Sequence, residues 1–103
     1  MLEPGHIARR LIIHGRVQGV WYRAWTVENA SELGLDGWVR NRADGTVEAL
    51  LVGSEMNVRE MIKRCFRGPD RARVKEIEEF PAKGITASGF TQKPTVNPEE
   101  RRD

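Results

Sequence analysis

The order in which strand-like and helix-like patterns follow one another restricts the fold of this chain more than any other feature. Strands are predicted at residues 8–14, 35–41, 46–52, 73–80 and 90–92. Helices are predicted at residues 21–33 and between Ser54 and Gly68. The order is therefore β-α-β-β-α-β, with a short last strand after or within the final unit. Two βαβ units joined by a hairpin predict an antiparallel sheet with both helices on one face.

Local signals support this order of elements. Asp44 and Gly45 predict the hairpin, because both residue types tolerate a positive φ. Residues 73–80 do not alternate regularly, so we expect a bulge or an edge position there. The second helix has apolar residues at i, i+3, i+4, i+7 and i+8, namely Val58, Met61, Ile62, Cys65 and Phe66. The class indicated is an α+β, ferredoxin-like sandwich, a fold that hosts many unrelated functions.

Length and composition exclude several classes of protein. The 103 residues suffice for about one domain with one core. The longest apolar run near the start, residues 11–13, is too short for a membrane span or a signal peptide. A single cysteine, Cys65, cannot close an internal disulfide, and two histidines are too few for a metal cluster. We therefore expect a cytoplasmic protein that binds neither a metal ion nor a membrane.

The charge of the chain is nearly balanced, with 17 Lys and Arg against 15 Asp and Glu. A net charge of +2 is no signature of nucleic-acid binding, so we expect no nucleic-acid partner. The distribution is less even, because residues 1–23 contain four arginines and only one acidic residue, Glu3. A basic first part of the chain can attract a small anion.

Residues 15–20 form a loop that leads directly from a strand into a helix. Such a loop, with Gly15 and Gly19 in it, exposes backbone N–H groups in front of the helix dipole and so predicts an anion site. Arg23 falls in the first turn of that helix, where its charge opposes the dipole unless it shares the bound anion. Its planar guanidinium suits a phosphate, which it can bind through two hydrogen bonds. The alternative is a solvated surface arginine.

Two segments resemble the signatures of the acylphosphatase family. Residues 15–23 read GRVQGVWYR and resemble the signature Gly-x-Val-Gln-Gly-Val-x-Phe-Arg. Residues 34–41 read GLDGWVRN and resemble the signature Gly-Leu-x-Gly-Trp-Val-x-Asn. One departure is Tyr22, which stands where the family usually has Phe and keeps the ring. The resemblance covers roughly residues 8–93.

The resemblance implies a ferredoxin-like hydrolase that splits the carboxyl–phosphate bond of acyl phosphates with neither a metal nor a cofactor. It implies that Asn41 positions the attacking water and that Arg23 holds the phosphate. The backbone amides implied to share this phosphate belong to Arg16, Val17, Gln18, Gly19 and Val20. The expected partners are a small acyl phosphate and inorganic phosphate, bound by a monomer. We expect the domain at residues 1–93 and a flexible tail at residues 94–103.

Three alternatives remain open. The first is a non-catalytic module that binds an anion or RNA, since ferredoxin-like domains also bind RNA through aromatic side chains on the sheet. The RNA-binding sequence pattern of that fold does not occur here. The second is an accessory domain for carbamoyl transfer, which the lack of zinc-binding cysteines after residue 93 disfavours. The third is an inactive relative, which the presence of both Arg23 and Asn41 disfavours.

Other conspicuous residues are expected to serve the fold or the surface. Trp21 borders the loop, where packing and a role at the site entrance are about equally expected. Trp25 and Trp38 are expected in the core or on a sheet face. Asp44 and Glu48 are expected to be hairpin and surface residues. A solvated edge is expected for the basic cluster of Arg67, Arg71, Arg73 and Lys75.

Overall fold

The computed structural model describes residues 2–97 of the chain. Its strands are β1 (His6–Arg16), β2 (Asp36–Asn41), β3 (Val47–Ser54), β4 (Arg73–Pro81) and β5 (Phe90–Gln92). Its helices are α1 (Tyr22–Glu32) and α2 (Glu55–Arg67). Neither of these two helices is long and apolar enough to cross a membrane. The predicted βαββαβ order and the short last strand are confirmed.

The five strands form one sheet in the order β4-β1-β3-β2-β5. The first four strands in that order pair antiparallel, whereas β5 runs parallel to β2. The predicted ferredoxin-like α+β class is confirmed, with antiparallel pairing among β1 to β4, and the parallel pairing of β5 is the one departure from the predicted antiparallel sheet. Since β4 and β5 lie at opposite edges, residues 82–89 cross the sheet and enter β5 in the direction of β2. A strand of three residues carries no pattern from which that direction could be predicted.

The ends and edges of the elements agree with the local sequence. β4 lies at a sheet edge, and its pairing with β1 shifts register between His14 and Gly15, so the expected bulge and edge position are both confirmed. Ser54 caps α2, because its Oγ accepts a hydrogen bond from the backbone N–H of Asn57 at 3.2 Å. Gly68 ends α2 with a φ of 65°.

The main core lies between one face of the sheet and the two helices. α1 buries three side chains, Tyr22, Thr26 and Ala30. α2 buries four, Val58, Met61, Ile62 and Cys65. Phe66 belongs to the same predicted stripe, but 54% of it is exposed. A rotation of about 100° per residue places Phe66 roughly 80° from Val58, at the outer limit of the stripe, where it no longer reaches the sheet.

The opposite face of the sheet carries charged side chains beside a second, smaller apolar cluster of Ala8, Leu50 and Val52. Glu48, expected at the surface, is instead fully buried there. Its carboxylate accepts hydrogen bonds from Arg10 Nη1 at 3.0 Å and Arg40 Nε at 2.9 Å, which compensate its charge. The two guanidinium groups lie over the rings of Phe80 and Trp38, at 4.6 and 4.4 Å. Both aromatic rings are therefore already in contact with cations of the chain itself.

The chain after β5 remains bonded to the sheet as far as Val96. The N–H of Val96 donates to the carbonyl of Asn41 at 3.1 Å, and its carbonyl accepts from the N–H of Ala43 at 2.9 Å. The first part of the predicted tail, residues 94–103, is thus hydrogen-bonded to the region that carries Asn41. Residues 98–103 lie outside the described residues.

Candidate active site

The end of β1 and the loop that leads from it to α1 have backbone conformations that few residue types adopt. Gly15 has a φ of 124°, and a Cβ there would lie 2.1 Å from the carbonyl oxygen of Arg73, so only glycine fits. Trp21, directly before α1, has a φ of 69° and is the one non-glycine residue among residues 2–97 with a positive φ. Backbone strain of this kind is concentrated at functional sites. The conformation therefore singles out this loop.

The N-terminus of α1 lacks the groups that usually satisfy it. Trp21 at the N-cap makes no side-chain hydrogen bond to the helix, and the first turn has no acidic residue. The first turn contains Arg23 instead, which is half-buried. Within residues 2–97 the guanidinium of Arg23 makes no hydrogen bond and no ion pair. A bound anion would satisfy both the helix terminus and the guanidinium.

The side chain of Gln18 joins this loop to the turn between β2 and β3. Its Nε2 donates hydrogen bonds to the carbonyls of Arg42 and Thr46, both at 2.8 Å. The turn itself is closed by Asp44, whose Oδ1 accepts from the Thr46 hydroxyl at 2.6 Å and from the Thr46 N–H at 3.0 Å. The hydrogen bond from the Thr46 hydroxyl holds the pKa of Asp44 below its ordinary value. Gln18 thereby fixes the loop relative to Asn41, which ends β2.

A cavity of about 320 Å³ lies where the loop, α1 and β2 meet. Arg23 and Asn41, the two predicted catalytic residues, both line it. The fold brings these two residues to the cavity from different elements, Arg23 from α1 and Asn41 from β2. The complete lining is Val17, Gln18, Gly19, Trp21, Tyr22, Arg23, Ala24, Asn41 and Gln92.

The predicted phosphate-binding residues of the loop divide into two groups. Val17, Gln18 and Gly19 line the cavity. Arg16 and Val20 do not line it, since Arg16 is exposed and Val20 is buried beside a second cavity. The geometry of the loop therefore favours its central part as the contact with a ligand.

Asn41 contributes a buried acceptor that has no partner. Its Oδ1 makes no hydrogen bond within residues 2–97. An unsatisfied buried acceptor costs about 1–3 kcal/mol, which a hydrogen-bond donor entering the cavity would recover. A water molecule is the smallest such donor. The site thus combines a guanidinium suited to an anion with an acceptor suited to a water.

Three lining residues, Tyr22, Ala24 and Gln92, were not predicted from the sequence as site residues. Ala24 directly follows Arg23 in the first turn of the helix, and this position could have predicted that it lies at the same site. Gln92 reaches the cavity because β5 pairs with β2, with Gln92 opposite Val39. The register of so short a strand cannot be predicted from its own residues.

Tyr22 and Cys65 join α1 to α2 through a hydrogen bond. The Tyr22 hydroxyl donates to the carbonyl of Cys65 at 2.7 Å, so the hydroxyl that this chain adds to the family's usual ring is satisfied. Burial raises the pKa of Tyr22 far above its ordinary value. Burial also raises the pKa of the Cys65 thiol to about 12, which makes it a packing residue rather than a nucleophile. This agrees with the expected core position of Cys65.

A second, larger cavity of about 880 Å³ adjoins the first. Gly19 and Trp21 line both cavities, so the two meet at the end of the loop. The far side of the larger cavity is formed by residues 67–73, between α2 and β4. Trp25 was expected in the core. It packs against the main core and also lines this larger cavity.

Comparison with known sequences points to one family. The family model Acylphosphatase matches residues 9–92. An acylphosphatase from Rhizorhabdus wittichii is 61% identical over 94 residues, which cover 91% of this chain and 95% of that protein. The matched segment includes the loop, Arg23, Asn41 and Gln92.

Solved structures agree in the same way. A structure of an acylphosphatase from Coxiella burnetii has a TM-score of 0.85 and 27% identity, covering 90% of this chain and 98% of that chain. A crystal structure of acylphosphatase from Bacillus subtilis has a TM-score of 0.80 and 31% identity, covering 84% of this chain and 98% of that chain. With most of its length matched in both sequence and structure, the chain belongs to the acylphosphatase family.

Proposed function

We propose that this chain hydrolyses acyl phosphates in the cavity of about 320 Å³ between the loop, α1 and β2. One observation carries the proposal: the same cavity is lined by a guanidinium and by a buried amide oxygen, neither of which has a partner within residues 2–97. Arg23 supplies the site for an anion and Asn41 the site for a water. Membership of the acylphosphatase family supports acyl phosphates as the substrate class.

The proposed reaction transfers a phosphoryl group from a carboxylate to water. The water oxygen attacks phosphorus, the bond from phosphorus to the acyl oxygen breaks, and its electron pair leaves with the carboxylate. One proton of the attacking water passes to a phosphate oxygen of the substrate. Since a carboxylate is a good leaving group, the protein has to position the reactants and stabilise charge rather than supply a strong base.

Each residue then has a distinct role. Arg23 and the backbone amides of Val17, Gln18 and Gly19, the part of the loop that lines the cavity, hold the phosphate oxygens. The charge on these oxygens spreads in a loose transition state. Asn41 accepts a hydrogen bond from the water and so orients it. The amide is neutral and does not take the proton of the water. Gln18 is a positioning residue, since its two hydrogen bonds keep the loop in place against the turn after β2.

We propose further that the protein works as a monomer in the cytoplasm and acts on small molecules alone. Both residues with a proposed catalytic role, Arg23 and Asn41, line one cavity within a single chain. The single cysteine is buried and reduced, which supports a reducing compartment. The family match over residues 9–92 supports a domain at residues 1–93 with a tail at residues 94–103.

A non-catalytic module that binds RNA or an anion is the less favoured candidate. RNA-binding domains of this fold stack bases on exposed aromatic rings of the sheet. Here the rings of Phe80 and Trp38 lie against Arg10 and Arg40. Displacing these arginines would remove two ion pairs from the buried carboxylate of Glu48.

Benzoyl phosphate is expected to be hydrolysed at a rate that neither a chelator nor added magnesium changes. The proposed site consists of a guanidinium and amides, and no group of three or more His, Cys, Asp or Glu side chains in residues 2–97 is placed to hold a metal ion. The measurement is the loss of benzoyl phosphate absorbance with and without EDTA, corrected for spontaneous hydrolysis. Loss of activity on chelation, restored by a divalent metal, would contradict the proposed mechanism. Failure to hydrolyse the substrate at all would contradict the proposed function.

Inorganic phosphate and sulfate should inhibit the same reaction competitively. Both present the tetrahedral oxygens that the loop and Arg23 are proposed to bind. The inhibition constants should be in the millimolar range, which corresponds to a binding free energy of roughly −4 kcal/mol. The affinity is weak because a small anion loses strong hydration on binding. Chloride at equal ionic strength is the control. Noncompetitive inhibition by phosphate would place the anion outside the substrate site.

A further inference from the structure

The larger cavity combines features that the hydrolytic step itself does not need. It meets the proposed phosphate site at Gly19 and Trp21 and has a volume of about 880 Å³, far more than a phosphate requires. A substrate whose phosphate lies at Arg23 therefore has room to place its acyl group in this larger cavity. The chemistry of the lining then indicates which acyl group would fit.

One wall of the larger cavity is aromatic. Trp21 is 78% exposed although its backbone is held in a strained conformation. Trp21 is one of four large apolar side chains exposed within residues 2–97, and of these four it alone lines the two cavities. Trp25 lies beside it in the lining. Indole rings offer a flat surface on which another planar group can stack.

The opposite wall is cationic. Arg67 and Arg71 both line the cavity, and neither guanidinium makes a hydrogen bond or ion pair within residues 2–97. Arg73 also lines it, with its Nη1 donating to the carbonyls of Asp70 and Ala72 at 3.0 and 2.8 Å. Asp70 is the one carboxylate of the lining, so positive charge remains in excess. Six of the other nine arginines within residues 2–97 have acidic partners, whereas Arg67 and Arg71 leave two uncompensated charges on this wall.

We propose that the larger cavity binds the acyl group of the substrate and selects acyl phosphates whose acyl group is planar and carries a second negative charge. Trp21 contacts the planar part, and Arg67 and Arg71 bind the distal anion. This inference rests on the proposed hydrolysis at Arg23 and Asn41, and it assigns the specificity of that same site. The basic cluster expected to be a solvated edge thus includes two residues that determine specificity.

The test compares benzoyl phosphate with its meta- and para-carboxy derivatives. The three substrates share a planar ring and a reacting group, and two of them carry a second negative charge. For the wild-type protein, kcat/KM should be about tenfold higher for at least one carboxylated substrate, which is a modest value for a charge-assisted contact at an exposed site. The preference should decrease as salt is added, because exposed charges are screened. Spontaneous hydrolysis rates correct for the different reactivity of the three substrates.

Variants identify the residues that cause the preference for carboxylated substrates. Arg67→Ala combined with Arg71→Ala should reduce the ratio of the kcat/KM values to about one. Arg59→Ala removes one positive charge from α2 outside both cavities and should leave the ratio unchanged. Trp21→Ala should raise KM for the aromatic substrates more than for acetyl phosphate, which has no ring. Circular dichroism confirms that each variant is folded.

Two results would overturn this inference while leaving the proposed function intact. One is equal kcat/KM for all three substrates in the wild-type protein. The other is a ratio that stays high in the double arginine variant. If none of the three substrates is hydrolysed, the proposed function fails first, and the assignment of the acyl site fails with it.

Discussion

Replacing Arg23 with alanine is expected to lower kcat/KM for benzoyl phosphate by about 10³-fold, the typical loss for a cationic clamp in phosphoryl transfer. The guanidinium is proposed to hold the phosphate in both the ground state and the transition state, so KM should rise and kcat should fall. Inhibition by inorganic phosphate should be lost in parallel. The fold should persist, because this half-buried side chain has no partner within residues 2–97.

Two further variants test whether the loss is specific to the position and to the guanidinium group of Arg23. Arg59→Ala removes an equal charge from an exposed site on α2 and should leave kcat/KM within about twofold, as expected for a surface charge. Arg23→Lys keeps the charge but loses the planar fork, so it should recover only part of the activity. If Arg23→Ala retained most of its activity with a normal melting temperature, the phosphate would have to bind elsewhere.

Replacing Asn41 with alanine is expected to lower kcat by about 10²–10³-fold, comparable to the loss of one well-placed hydrogen-bonding group in an active site. The affinity for inorganic phosphate should change little, because Asn41 is proposed to contact the water and not the anion. KM should therefore stay close to that of the wild-type protein. An interaction made only on the way to the transition state has this kinetic signature.

Asn57→Ala is the matched control for Asn41→Ala. The Asn57 side chain donates to the carbonyl of Leu33 at 3.0 Å and lines neither cavity, so its loss should affect stability rather than kcat. If Asn41→Ala weakened phosphate binding as much as Arg23→Ala, Asn41 would belong to the anion site. The proposed division of roles between the two residues would then be wrong.

Patterns that depend on neighbouring residues in the sequence predicted much of this fold. The spacing of apolar residues predicted α2 and the buried positions of Val58 and Cys65, and the Asp44–Gly45 pair predicted the turn between β2 and β3. Irregular alternation predicted both the edge position and the bulge of β4. These signals suffice because the helix period, the pleat and turn geometry are all local.

Features that depend on distant residues were not predictable in this way. The alternation in β3 shows which face Glu48 points to, but not that Arg10 and Arg40, from two other strands, converge on it. The parallel direction of β5, and with it the place of Gln92, depends on a crossover whose path has no local signature. The site was predicted by its family motifs, and Gln18 acquired a second role because its side chain bonds to a turn on another element.

The central claim is that one anion is held by the loop at residues 16–20 together with Arg23, within reach of Asn41. Amide NMR spectra recorded while inorganic phosphate is added test it most directly, since each backbone N–H reports on its own surroundings. The account predicts saturable shifts, with a millimolar dissociation constant, at Val17, Gln18, Gly19 and Arg23, and the same constant in Asn41→Ala. Shifts confined to residues 67–73, or loop amides that do not respond to phosphate, would contradict the account.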